Sequence, residues 1–221
     1  MGGSLEVVFF DIGGVLYSDA VYRRALLQGL RDLGAQVTQA AFDGAYEGLR
    51  ARQDASFRRS IAAAFLGPDP DVDRFQRATA AHWDYPPDAL EPDVRPCLEA
   101  LHGRYRLGIL ANQPSHVREA MRRDGIDRFF DLWGVSDDLG IEKPDPRIFT
   151  TALEGADVPA ERTAMVGDRL DYDVRPAAAA GMHTVWVLRG EAPAEPTSEQ
   201  LAVPEIAIRT LEDLPRLVEA M

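Results

Sequence analysis

Six short apolar runs separated by stretches of helical spacing constrain this chain more than any other feature of it. The runs are "LEVVFF" (residues 5–10), "RLGILAN" (106–112), "FFDLWGVSD" (129–137), "TAMVGD" (163–168), "HTVWVLRG" (183–190) and "PEIAIRT" (204–210). Strands buried on both faces read as near-continuous apolar runs, and strands alternating with helices are the pattern of a parallel sheet covered by helices. The short connections "SHVREAMRRDG", "PRIFTTALEGA" and "YDVRPAAAAGM" supply the crossover helices. The expected fold class is therefore α/β, with a Rossmann-like parallel sheet.

One interval breaks the rhythm. Residues 18–90 hold no convincing strand but several amphipathic stretches, among them "DAVYRRALLQGLRDLG", "QAAFDGAYEGLRARQ", "SFRRSIAAAFLG" and "VDRFQRATAAHW". Gly34, Gly67 and the proline-rich "YPPDALEPD" punctuate it as helix stops and a return linker do. The expected organisation is a core made of residues 1–17 and 91–221, with an all-helical insertion at 18–90. A chain of 221 residues is long enough for both. The segment "EAPAEPTSEQ" (191–200) reads as an exposed loop.

Composition narrows the classes of partner. No apolar run approaches the roughly 20 residues that span a bilayer, and the formal net charge of −12 opposes nucleic acid and anionic lipid. An anionic substrate must then be held by local positive charge or by a metal. The opening "MGGSLEVVFF" lacks the basic leader and small-residue cleavage site of a signal peptide, so the expected location is the cytoplasm. Cys97 is the only cysteine and is expected to be a small buried apolar residue. The four histidines, His82, His102, His116 and His183, follow no metal-ligand spacing and are expected to be structural or surface residues.

In an open parallel sheet, ligands bind outside the carboxyl ends of the strands. Asp11 follows the first run, Asn112 and Gln113 end the second, Lys143 follows the third, and Asp168, Asp171 and Asp173 follow the fourth. Each has an ordinary structural reading when taken alone. Together they supply a carboxylate nucleophile, hard oxygen ligands for a divalent cation and a lysine to neutralise a transferring group, which are the parts of a phosphoryl-transfer site.

On these residues the sequence resembles the haloacid dehalogenase-like superfamily: "FFDIGGVL" for the first motif, "ILANQ" for the second, "GIEKPDPRIF" for the third and "MVGDRLDYDVRPAAAAGM" for the fourth. The helical insertion after the first motif resembles the cap of the branch that holds both phosphatases and 2-haloacid dehalogenases. The resemblance implies a site roofed by that cap, with Asp11 attacking phosphorus and Mg²⁺ held by Asp11, the Gly13 carbonyl, Asp168 and, directly or through water, Asp173. Lys143 would orient Asp11 and offset negative charge, and Asn112 and Gln113 would help bind the substrate. The implied partner is a small phosphorylated metabolite, handled by a monomer or homodimer.

Two positions depart from the family pattern. Gly13 stands where most of the family's phosphatases carry an acid that protonates the leaving oxygen, and Ala111 stands where a Ser or Thr is usual. A catalytically idle ligand- or partner-binding protein and a 2-haloacid dehalogenase are therefore alternatives, although the retained "GDRLDYD" favours a metal over dehalogenation. Tyr17, Arg23, Arg24, Tyr46 and Arg50 lie near the hinge or on helical faces, where packing or surface roles are expected before ligand contact.

Overall fold

All six runs lie in a single parallel sheet of the computed structural model, which describes residues 4–53 and 56–221. The strands are β1 (Val7–Phe10), β2 (Arg106–Ala111), β3 (Leu132–Val135), β4 (Thr163–Gly167), β5 (His183–Val187) and β6 (Ile206–Ile208), in the order β3-β2-β1-β4-β5-β6. This order reverses at β1, the topological switch point of doubly wound sheets. Each strand is shorter than its apolar run. The clearest correction is β3, where residue 129 closes a 3₁₀ turn and Ser136–Leu139 already forms a one-turn helix.

Alternation along β1 shows how the layers are filled. Val8 and Phe10 pack with Val94, Leu98, Met121 and Leu214 on one face, while Val7 and Phe9 pack with Ile148, Phe149 and Ala177 on the other. The flanking helices are thus α5 (Val94–Leu101), α6 (Val117–Arg123) and α9 (Leu214–Val218) on one side, with α7 (Pro146–Ala156) and α8 (Arg175–Ala179) on the other. Between β4 and β5 the expected helix is interrupted. The amides of Asp173 and Val174 both reach the Arg169 carbonyl, making a π turn over Leu170–Val174 before α8 begins with Pro176 near its start.

Residues 18–90 form four helices, α1 (Ala20–Asp32), α2 (Gln39–Arg52), α3 (Phe57–Leu66) and α4 (Val72–Ala80), with no named strand among the described residues. They share their own apolar cluster, which includes Leu26, Leu30, Phe42, Tyr46, Phe57, Ile61 and Phe75. The Thr38 hydroxyl and the Asp71 carboxylate cap α2 and α4 by accepting from the Ala41 and Arg74 amides. The outgoing and returning chains run side by side at the base: the Ser18 amide donates to the Ala89 carbonyl at 2.7 Å and the Glu91 amide to the Leu16 carbonyl at 3.0 Å.

The "EAPAEPTSEQ" segment corrects an expectation. Glu191, Ala192 and Pro193 are buried, because Glu191 is drawn in by Arg169 and Tyr46, and only the remainder is a surface stretch that ends in a Thr197–Gln200 capping box. Cys97 sits in the core as expected. The histidines serve structure: His82 pairs with Asp32, His183 with Glu205, His116 bonds the Trp83 carbonyl, and His102 meets the Phe129 ring edge-on.

Candidate active site

The carboxyl ends of β1, β2 and β4, with the loop after β3, converge on one cavity of about 540 Å³, counted to its open mouth. Asp11, Gly13, Asn112, Gln113, Lys143, Asp168 and Asp173 all line it, so the structure brings together the residues the sequence placed at the strand ends, with one exception. Asp171 does not join them; it turns away to pair with Arg169 through two bonds of 2.9 and 2.5 Å.

Lys143 is the centre of the floor. Its ammonium, 2% exposed, donates to Asp11 Oδ1 at 2.8 Å and to Asp173 Oδ1 at 2.5 Å. Burial of the ammonium works against its charge, but Asp11 and Asp173 outweigh it and hold Lys143 above its ordinary value. Asn112 fixes where the lysine starts. Its side-chain carbonyl accepts from the Lys143 amide at 2.7 Å and its amide group donates to the Lys143 carbonyl at 2.8 Å, a two-point clasp between neighbouring strand ends. The Asn112 side chain thus acts on Lys143. Gln113 accepts from the Tyr85 hydroxyl and lies beside Gly13.

Asp168 turns back under the first loop. Its Oδ2 accepts from the Glu191 amide at 2.6 Å and its carbonyl accepts from the Trp186 indole at 2.8 Å. Two glycines make the room. A Cβ on Gly14 (φ +67°) would stand 2.1 Å from Asp168 Oδ2, and one on Gly190 (φ +58°) 2.3 Å from it. Gly13 is different: it has no such backbone angle, and a Cβ there would meet only Gln113 Nε2 at 3.4 Å. The missing side chain at 13 is thus not a steric necessity.

Oxygen atoms of Asp11, Asp168 and Asp173 lie within 4.8 Å of one another. Burial raises the Asp11 carboxyl to about 6 despite Lys143, with Asp173 adding to the rise. Burial also raises Asp168 well above the carboxylate range, reinforced by Asp11, Asp173, Glu191 and Asp19. Two buried carboxylates and the part-buried Asp11 facing one lysine leave excess negative charge, and the donors are all hard oxygens, so the cluster fits a small divalent cation.

Several lining residues were missed from sequence. Tyr22, Phe57, Arg58 and Trp83 come from residues 18–90, and Asp19, Arg169, Tyr172 and Glu191 complete the wall. Arg169 lies over the rings of Phe57 and Tyr172 at 5.1 and 4.3 Å while bonding Glu191 at 2.9 Å. The Tyr46 hydroxyl meets both Asp19 and, at 3.2 Å, Glu191. Burial, then Glu191, lifts Asp19 to about 7 against the pull of Tyr46, Arg23 and Arg169. Arg169 and Tyr172 lie within the fourth motif and Asp19 three residues beyond the first, which was their only signal; the others carried none. Of the hinge and helix-face residues, Tyr17 is buried and donates to Asp124, Arg23 pairs with Asp43 and Glu47, and Arg50 donates to the Gly190 carbonyl.

The chain is 31% identical over 196 residues to a glyceraldehyde 3-phosphate phosphatase of Methanothermobacter thermautotrophicus, covering 83% of this chain and 85% of that one. It is 37% identical over 130 residues to the glyceraldehyde 3-phosphate phosphatase of Methanopyrus kandleri, a match spanning 57% of this chain and 56% of the relative, so that here the chain spans about half the length of the protein it matches. A solved structure of a predicted phosphoglycolate phosphatase from Haemophilus somnus superposes with a TM-score of 0.76 at 20% identity, covering 96% and 97% of the two chains, which extends the shared fold to the whole molecule. The model of the haloacid dehalogenase-like hydrolases matches residues 5–181, from the first strand through the fourth motif, and the chain belongs to that family.

Proposed function

We propose that this protein is a Mg²⁺-dependent phosphatase of small phosphorylated metabolites, with residues 18–90 as the cap over its site. The observation that carries the reading is the ion chain on the cavity floor, Asp11–Lys143–Asp173, with Asp168 beside it. The names of the relatives support the substrate class.

In this reading Asp11 attacks phosphorus. A bond forms from its carboxylate oxygen as the ester P–O bond breaks, giving an aspartyl-phosphate and the free alcohol's oxyanion. Gly13 has no proton to offer, so the oxyanion takes one from water. A second water then attacks the phosphoryl group, releasing inorganic phosphate and restoring the carboxylate. Lys143 holds Asp11 in line and offsets the charge that gathers as two anions meet. A divalent cation held by Asp11, the Gly13 carbonyl, Asp168 and Asp173 would supply the remaining positive charge. Asp173 keeps Lys143 in place, its other oxygen accepting from the Arg169 amide at 3.0 Å.

A panel of phosphorylated metabolites assayed with and without chelator tests the reading. Release of phosphate should require Mg²⁺ and Asp11; turnover that survives chelation overturns it. Gly13 and the buried Ala111 favour one second reading, a protein that binds a phosphorylated ligand without turnover. It predicts thermal stabilisation by the ligand with no product. Dehalogenation predicts metal-independent halide release from 2-halo acids, and the acidic cluster argues against it.

A further inference from the structure

The cavity's positive charges are all engaged by the protein itself. Among the described residues three basic side chains line it, and each has acidic partners: Lys143 with Asp11 and Asp173, Arg169 with Asp171 and Glu191, and Arg58 with Glu142 at 2.7 Å. Asp19 and Glu191 also line the wall. A second anionic group on a substrate would meet carboxylates and would have to break an ion pair to find a cation.

Aromatic surface is what the wall offers instead. Tyr22 on α1 and Trp83 after α4 stack with ring centroids 4.6 Å apart, tilted by 35°, and both line the cavity. They also line an adjoining pocket with the apolar Leu26, Phe75 and Ala80. The Trp83 ring is held in place: its indole donates to the Tyr85 hydroxyl at 3.0 Å, and that hydroxyl donates to Gln113 at the end of β2. A rigid aromatic pair tied to the strand end that carries the site favours a flat ring over a flexible chain.

The floor points the same way for a separate reason. With Gly13 in place of an acid, no side chain at that position can protonate the departing oxygen. A phenol, with a pKa near 10, leaves far more readily as its anion than an aliphatic alcohol does.

We propose that the substrates are phosphate monoesters whose leaving group is an uncharged aromatic ring, seated against Tyr22 and Trp83. The proposal rests on the phosphatase reading for the chemistry, whereas its recognition element is testable by binding alone. Methyl-, phenyl- and 4-carboxyphenylphosphonate carry the same non-transferable head and differ in the group that meets the wall.

Calorimetric titration into the Mg²⁺-loaded protein should show phenylphosphonate binding roughly tenfold or more tightly than methylphosphonate. The 4-carboxyphenyl compound should fall back by about tenfold or more, since its carboxylate meets Asp19, Glu191 or an occupied cation. Trp83→Leu and Tyr22→Leu should each reduce the phenyl-to-methyl ratio, and Trp83→Phe should largely keep it. Methylphosphonate binding as tightly as phenylphosphonate, a carboxylated ring binding as well as the plain one, or a ratio unmoved in both leucine variants would overturn the proposal. Phosphate release from phenyl phosphate is followed in parallel. If the ring preference holds but nothing is hydrolysed, the phosphatase reading falls and the recognition stands.

Discussion

The floor and the roof of the cavity are built on opposite plans. The floor is charge bound to charge: Asp11, Lys143 and Asp173 sit on strand ends and loops of a parallel sheet, Lys143 and Asp173 only 2% and 1% exposed, with Asp168 buried beside them. The roof contributes the Tyr22–Trp83 pair and Phe57, and its lining cation among the described residues, Arg58, bonds Glu142. Buried charges demand fixed partners, so the floor tolerates little change, whereas an aromatic wall can be altered without leaving a charge exposed to low dielectric. In the proposed function, the difference assigns reaction chemistry to the sheet edge and choice of substrate to the insertion.

The heaviest blow to that division falls on Asp11. Asp11→Asn keeps the shape and removes the proposed nucleophile, so kcat should drop by roughly 10³-fold or more while the circular-dichroism spectrum is unchanged. Comparable activity in this variant would move the chemistry away from the floor. Lys143→Met tests the floor as structure: it leaves Asp11 and Asp173 without their buried cation, and urea unfolding in the presence of chelator should show a loss of roughly 3–5 kcal/mol.

Gly13 sharpens the comparison from the chemical side. Because a Cβ fits there, Gly13→Asp should fold, and restoring a proton donor should raise turnover of alkyl phosphates by up to about 10²-fold, more than that of aryl phosphates. A folded, Mg²⁺-binding variant with no gain on any alkyl phosphate would show that the absent acid is not what limits the site. Its neighbour gives the opposite result. Gly14→Ala forces a side chain at φ +67° into Asp168 and should cost roughly 2 kcal/mol or more, against less than about 1 kcal/mol for Gly13→Ala, read from thermal melts of both.

The smallest effect concerns the brace behind the floor. Asp93 bonds Arg189 at 2.9 and 2.7 Å, and Arg189 in turn donates to the carbonyls of Gly14 and Val15, steadying the loop that follows Asp11. Burial pushes the Asp93 carboxyl up, but Arg189, the Leu211 amide and Thr210 outweigh it and hold it below its ordinary value. A carboxyl held lower in the folded state adds stability above its unfolded pKa, and that contribution disappears as pH falls through the folded value. The melting-temperature gap between the protein and Asp93→Asn should therefore be open at pH 7 and narrow below roughly pH 4. A gap that is constant across this range would mean the ion pair does not brace the loop.

What the sequence determined by itself was the sheet and which residues gather at its edge. Strands buried on both faces leave unbroken apolar runs, and a parallel sheet delivers the residue after each run to the same edge, so Asp11, Lys143, Asp168 and Asp173 could be gathered from position alone. The same local signal failed at Glu191, which sits in a segment of alanines, prolines and acids yet is buried by Arg169 and Tyr46 from distant parts of the chain. It was silent on Asn112 as the clasp of Lys143 and on whether Gly13 was required by space or only lacked an acid. It could not foresee the Tyr22–Trp83 wall, because amphipathic spacing tells which residues turn inward but not which cavity they meet. Those contacts join residues some 60 positions apart or more, from Tyr22 to Trp83 and from Arg169 back to Phe57. Packing of the helical insertion on itself brings the first pair together and its docking on the sheet brings the second, and both are set by shape and charge across the whole fold, which no local stretch encodes.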